Sequence, residues 1–204
     1  MMPLPDNTQV RPISVDEYFL ADNFLEKHLY RIYNGNRPRS YEFLLDKLRE
    51  NPELFLGLYL DNELIGVIEG FPRDDYLLLS EIAVDIRFRH RGFGTLLLRE
   101  FENAAKRLNY SKIKLGAQDD AVSLYLKNNY FPTLLIQISD SKSEYNTVMD
   151  YLNKNNIRVL DEKRLDKVVA IELIVKKIDF ELLERFKKLF NPISIQYLFT
   201  KNVC

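Results

Sequence analysis

Two of the chain's seven glycines stand two residues apart, in the run Val84-Asp-Ile-Arg-Phe-Arg89-His-Arg-Gly92-Phe-Gly94-Thr95-Leu-Leu. Ahead of them lies an apolar stretch, Tyr76 to Val84, with the character of a strand. Behind them, Thr95 to Leu108 is amphipathic, with Leu97, Phe101, Ala104, Ala105 and Leu108 on one helical face. A strand must therefore turn sharply into a helix through this loop. Glycine admits positive φ and lets the backbone approach a ligand closely. The first turn of the helix offers unpaired N–H groups and a partial positive charge. Together these make an anion site suited to a diphosphate, with Arg87, Arg89, His90 and Arg91 adding positive charge beside it. No Gly-Lys-Ser/Thr follows and no third glycine is present, so neither a nucleoside-triphosphate loop nor a dinucleotide fingerprint fits. The bland alternative is a tight turn that binds nothing; Arg89, three residues before the first glycine, weighs against it.

The remaining pattern predicts a mixed α+β fold with a mostly antiparallel sheet flanked by helices. Val10–Ser14 reads as a first strand. Phe19, Leu20, Phe24, Leu25, His28 and Leu29 have helical spacing. The cluster Asn34-Gly35-Asn36-Arg37-Pro38 is a turn, and Ser40 to Arg49 a second helix. Leu54–Leu60 and Glu63–Gly70 form a hairpin about Asp61-Asn62. After the glycine turn and its helix come a strand at Lys112–Leu115, a short helix carrying Ala121, Leu124 and Tyr125, and a strand at Leu134–Ile138.

Beyond about Ser139 the rhythm is simpler: a helix at Ser143–Asn153, strands at Ile157–Leu160 and Val168–Val175, a helix at Asp179–Phe190 and a strand at Ile193–Phe199. Two domains are expected, residues 1–139 and 140–204. If Leu134–Ile138 is counted with the second, its order is β-α-β-β-α-β, as in ferredoxin-like units. Periodicity leaves open which sheet that strand joins.

Arg89-x-x-Gly92-x-Gly94 resembles the central motif of the GNAT superfamily of N-acetyltransferases, Arg/Gln-x-x-Gly-x-Gly/Ala. The likeness extends to Ala83-Val84 at the end of the preceding strand, to Asp85, and to Thr95 followed by leucines. It implies that the amides from Arg89 through His90, Arg91, Gly92, Phe93, Gly94 and Thr95 hold the diphosphate of acetyl-coenzyme A. It also implies that the strand splays from its neighbour, so that its backbone at Ala83 and Val84 meets the pantetheine arm and the acetyl carbonyl.

Ala121-Val-Ser-Leu124-Tyr125-Leu-Lys-Asn-Asn129-Tyr130 resembles the second family signature, Ala-x-x-Leu-Tyr-x-x-x-Gly-Phe. In that likeness Tyr125 protonates the departing thiolate, and Gln118 is a candidate cofactor contact. Asn129 replaces the usual glycine, and asparagine tolerates the left-handed conformation. Without the motif, Tyr125 reads as a core tyrosine with a satisfied hydroxyl. The resemblance covers residues 9 to 139.

The acceptor amine must lose a proton before it attacks, which calls for a base. Glu81 is the candidate: a lone carboxylate in an apolar strand, whose burial raises its proton affinity. Alternation places Glu81, Ala83 and Asp85 on one face. The competing reading is a carboxylate facing solvent or paired with a lysine. Asp74 and Asp75 precede the central strand, where they could attract a cationic amine; the plainer reading is solvated turn carboxylates.

His28 and His90 are too few and too scattered for a metal site, and Cys204 is the sole cysteine, so no metal and no internal disulfide is expected. Twenty-nine lysines and arginines against 30 acidic residues give no reason to expect a nucleic acid or an anionic membrane as partner. No apolar leader or span of about 18 residues is visible, which points to the cytoplasm. The expected activity is acetyl transfer from acetyl-coenzyme A to a primary amine of a small molecule or a protein. The alternative is a non-catalytic acyl-coenzyme A sensor. The C-terminal segment is read as structural or as a homodimer interface.

Overall fold

A computed structural model describes residues 4–29 and 39–203. The turn cluster at Asn34-Gly35-Asn36-Arg37-Pro38 and Cys204 lie outside them. The chain divides into two compact units, residues 1–114 with 202–204, and residues 115–201. The architecture is the expected α+β, with mostly antiparallel strands and flanking helices.

In the first unit, strands β1 (Thr8–Pro12), β2 (Phe55–Leu60), β3 (Glu63–Pro72) and β4 (Leu77–Val84) pair antiparallel in that order. The β2–β3 hairpin turns on Asp61 and Asn62 at φ 50° and 67°. That is the primed geometry which matches strand twist and which Asn and Asp tolerate. β4 then meets β5 (Lys112–Gly116) in parallel, but only at Leu77–Ile113 and Leu78–Lys114. From Leu79 to Val84 the ladder between these two strands has ended. β1 lies two residues earlier than the apolar pattern suggests; it stops at Pro12, which cannot donate to a ladder, and Ile13 donates instead to Phe55.

Helix α1 (Tyr18–His28) packs on β3 and β4, α2 (Tyr41–Glu50) follows, and α3 (Phe93–Arg107) covers β2, β3 and β4. Ser40 caps α2 by accepting from the Phe43 amide at 3.2 Å. The face of α1 differs from the expected one. Phe19 and Leu20 are exposed, whereas Tyr18, Ala21, Asp22 and Leu25 are buried. Apolar spacing misplaces the stripe because a polar residue, Asp22, belongs to it. On α3, Leu97, Phe101, Ala104 and Ala105 are all fully buried, as the periodicity requires; full burial stabilises by about 1.5–3 kcal/mol for each of the larger side chains.

The β3–β4 ladder carries one irregularity. Glu69 of β3 is opposite Glu81 of β4, but Gly70 is opposite Leu79, so Ser80 is an extra residue in β4. Such bulges bend a strand and re-aim its side chains. A side chain at Gly70 would come within 2.3 Å of the Leu78 carbonyl and 2.6 Å of the Phe101 ring, so the close approach here requires glycine.

In the second unit, helix α4 (Val122–Lys127) leads to strand β6 (Phe131–Ser139), helix α5 (Lys142–Lys154), strands β7 (Val159–Leu165) and β8 (Val168–Ile174), helix α6 (Phe180–Phe190) and strand β9 (Ser194–Asn202). The sheet order is β9-β6-β8-β7, antiparallel throughout. That is the ferredoxin-like β-α-β-β-α-β arrangement. The strand containing Leu134–Ile138 is thus flanked by β8 and β9. β7 extends five residues beyond the expected Leu160; its Asp161-Glu162-Lys163-Arg164 stretch hides the strand, because charges on an edge strand discourage pairing with other chains and read as a loop. Asp179 and Ser141 cap α6 and α5 through their side chains.

Candidate active site

The glycine loop is built from its two ends. At the strand end, the Asp85 amide donates to the Ile65 carbonyl, and the Asp85 carboxylate accepts from the Arg87 amide at 2.9 Å, capping a single 3₁₀ turn at Ile86–Phe88. The Arg87 guanidinium closes on Asp85 at 2.8 Å and on Glu63 at 2.6 Å. Its charge is therefore compensated, and it adds little to an anion site. Arg89 Nε donates back to the Val84 carbonyl at 3.0 Å. At the helix end, Phe93 is buried and anchors α3, which begins there, two residues earlier than predicted.

Between these anchors the backbone turns left-handed twice, at His90 (φ 62°) and Gly92 (φ 95°). The left-handed region is uncommon for residues other than glycine, and residues held there cluster at functional sites. The helix supplies no internal acceptor to the amides of its first turn at Gly92, Phe93 and Gly94, its first backbone bond running from Leu96 to the Gly92 carbonyl at 3.0 Å. These donors lie at the start of a 15-residue helix, whose dipole favours an anion there. The His90 and Arg91 side chains are exposed beside them.

The adjoining strand alternates between two faces. A side chain at Gly66, which pairs with Val84, would meet Leu97 of α3, so Val84 faces α3. Glu81, Ala83 and Asp85 face α1: Tyr18 donates to Glu69, the partner of Glu81, and His28 Nε2 lies 4.0 Å from Asp85. The shared face expected from alternation is present. Glu81 is buried at 8% exposure, not turned to solvent, and Asp75 is an exposed turn residue bonded to Lys112.

Glu69 is absent from the sequence-derived candidates, although it is fully buried. The signal that points to Glu81, a lone carboxylate in an apolar strand, is present in Val67-Ile68-Glu69-Gly70-Phe71 as well.

A carboxyl and an imidazole are shifted from their ordinary values here. The Arg87 guanidinium, with its own amide, holds the Asp85 carboxyl down at about 2. Burial pushes the His28 imidazole below its ordinary value, against a smaller opposing pull from Asp85. Among the described residues, no hydrogen-bond partner meets the buried His28 Nε2.

Tyr125 and Gln118 fall in the second unit. Tyr125 is buried on α4, its ring 5.7 Å from Tyr130 and 5.4 Å from Phe199. Asn129 adopts φ 62°, the left-handed turn for which the family uses glycine. Gln118 is half-buried, and its carbonyl receives the Ala121 amide. Among the described residues, no three or more His, Cys, Asp or Glu side chains gather as a metal would need, and no helix is long and apolar enough to cross a membrane.

Solved structures share this fold. A GNAT family acetyltransferase from Elizabethkingia anophelis with acetyl-CoA bound is 20% identical, covering 83% of this chain and 97% of its own at a TM-score of 0.50. The polyamine N-acetyltransferase of Drosophila melanogaster is 13% identical over 82% and 99%, at 0.55. A Pyrococcus horikoshii protein is 15% identical over 99% and 92%, also at 0.55. No curated protein matches. The model of the acetyltransferase (GNAT) family matches residues 16–130, from α1 through the glycine loop to Tyr130, and with more than half of its length so matched the chain belongs to that family.

Proposed function

We propose that this protein transfers the acetyl group of acetyl-coenzyme A to a primary amine by direct attack. The observation that carries the reading is the set of first-turn amides of α3, Gly92 to Gly94, which the helix leaves without an internal acceptor beside the left-handed turn at Gly92. A diphosphate accepts such bonds at a helix N-terminus without further counter-charge. The Arg89 and Thr95 positions complete the loop, with exposed His90 and Arg91 adding positive potential. The β4 edge from Leu79 to Val84, where the ladder to β5 has ended, supports a role for Ala83 and Val84 in holding the pantetheine arm as a strand would.

In this mechanism Glu81 takes the proton of the acceptor ammonium, directly or through water, and the neutral amine attacks the thioester carbonyl. The tetrahedral intermediate collapses with Tyr125 donating its phenolic proton to the leaving sulfur, a group of comparable basicity. Gln118 contributes a further cofactor contact. Residues 1–139 form the catalytic part on this reading, and 140–204 a structural or dimer-forming addition, with the protein acting in the cytoplasm.

The test is calorimetry with acetyl-coenzyme A followed by a free-thiol assay across a panel of amines. Tight binding with thiol release on one amine class supports the transferase. Tight binding with no thioester consumption across the panel would replace it with the sensor reading.

A further inference from the structure

Strand β7 ends the sheet of the second unit: among the described residues it pairs with β8 alone. Apolar side chains stand in solvent at both of its ends, Val159 and Leu160 at one and Leu165 at the other. Between them runs Asp161-Glu162-Lys163-Arg164, two acids followed by two bases.

Residues opposed on neighbouring strands share a face of the sheet. Asp161 and Lys163 are opposite Glu172 and Ala170, whereas Glu162 and Arg164 are opposite the fully buried Ile171 and Val169. On each face an acid therefore precedes a base by two residues. An unlike strand meets mismatched charge at such an edge. A second copy running antiparallel presents the same order reversed, so acid meets base.

The two faces differ in what their charges already hold. Glu162 accepts from the Tyr145 hydroxyl of α5 at 2.9 Å and lies 3.6 Å from Arg164, which also bonds Asp140. Asp161 and Lys163 are only loosely matched, at 4.0 Å, and both reach solvent.

We propose that β7 is a dimerisation edge: two copies of this chain pair β7 antiparallel about a twofold axis at Glu162, with Asp161 of each copy opposite Lys163 of the other. The proposal rests on the reading of residues 140–204 as dimer-forming and assigns its surface; it is independent of acetyl transfer.

A twofold axis perpendicular to the sheet keeps each face on the same side in both copies, and the interface is isologous. The Asp161–Lys163 contact occurs twice, on the face away from Tyr145. Leu165 of one copy comes against the Val159–Leu160 segment of the other, which removes these apolar ends from water. Glu162 meets its own copy at the axis, where Tyr145 and Arg164 of the same chain already compensate it. Leu165 and Val168 close a two-residue hairpin, so alternation turns the Glu162 main chain toward the open edge. In the single chain its amide is met by Asp161 Oδ1 at 2.9 Å. Pairing exchanges that bond for the Glu162 carbonyl of the second copy and releases the Asp161 carboxylate to Lys163. One strand edge makes a small interface of the transient class, so association depends on concentration.

The experiment is sedimentation equilibrium of the full chain from about 1 to 100 μM, a range that spans micromolar dissociation constants. The unaltered protein should pass from monomer to dimer. Asp161→Lys and Lys163→Asp each place like charges across the axis twice and should weaken the dimer roughly tenfold or more. The two single variants mixed together should associate with each other, and the double exchange Asp161→Lys with Lys163→Asp should restore the dimer. Both sites are at the surface, and circular dichroism checks that each variant is folded. A monomer throughout the range would overturn both the edge and the dimer-forming reading. A dimer that persists in both single variants would overturn the edge alone, and so would single variants that fail to associate when mixed.

Discussion

Arg89 Nε donates to the Val84 carbonyl at 3.0 Å, so the first arginine of the glycine loop is braced against the last residue of the strand before it. In the sequence this arginine reads as a source of positive charge, but the geometry adds a mechanical task. The bond fixes where the loop leaves β4.

Replacing Arg89 with methionine should therefore weaken acetyl-coenzyme A binding more than the loss of one surface cation does. A charged hydrogen bond of about 1.5–3 kcal/mol corresponds to roughly 10- to 100-fold in affinity. Calorimetry on the variant checks this. An effect that vanishes at high salt would assign Arg89 to simple charge attraction instead.

Gly92 sits at φ 95°, where any Cβ is strained. Gly92→Ala should cost about 1–2 kcal/mol of stability and lower cofactor affinity together. Denaturant unfolding alongside calorimetry measures both. Affinity lost with unchanged stability would indicate direct obstruction of the ligand by the methyl group.

Tyr125→Phe keeps the ring contacts with Tyr130 and Phe199 and removes only the hydroxyl. Turnover should fall about a hundredfold or more while acetyl-coenzyme A affinity is retained. Steady-state kinetics with the best amine of the panel, beside a binding isotherm, separates the two. Undiminished turnover would leave Tyr125 as a core residue.

Asp85 contributes stability with a defined pH dependence. Its carboxyl is held at about 2 in the folded chain, against an ordinary value of 3.8. The unfolded chain thus takes up this proton first as pH falls. The stabilisation, at most about 2 kcal/mol, is complete above pH 3.8 and is lost as pH drops through about 2. Asp85→Asn should be less stable than the unaltered chain at pH 7 and nearly equal to it below about pH 2. Unfolding curves at both pH values give the difference.

His28 works in the opposite chemical sense but toward the same side of the pH scale. Burial lowers its proton affinity in the folded state, so the unfolded imidazole is charged first, near 6.5. The stability it brings is full above pH 6.5 and declines as pH falls below it. His28→Gln should flatten stability across roughly pH 5–7, the window around the ordinary histidine value. A slope unchanged by the substitution would place the titration elsewhere.

Much of this molecule is readable from its residues because the relevant physics is local. Gly92 and Gly94 between an apolar run and an amphipathic helix dictate a turn with exposed amides. Asp61-Asn62 dictates a hairpin, and Asn129 a left-handed helix end. The features that sequence patterns miss depend on packing. The buried stripe of α1 runs through Tyr18 and Asp22 and leaves Phe19 and Leu20 in solvent. Hydrophobic spacing has no means of counting a buried aspartate as interior. β7 reads short for the converse reason, since its charges protect an edge and mimic a loop. Glu69 is legible in type but not in meaning. Its place opposite Glu81 follows from a register that the sequence does not print.

The segment at the far end of β9 bears on how the protein is made. Val203 is buried in the first unit and donates to the Ser111 carbonyl at 2.9 Å, although residues 115–201 form the other unit. A nascent chain emerging from the ribosome can therefore build most of the first unit early but cannot close it until the entire intervening unit has been synthesised. Shortening the protein at residue 139 would withhold that closing contact, so lost activity in such a fragment would report on an unfinished body and not on any chemistry contributed by the missing part.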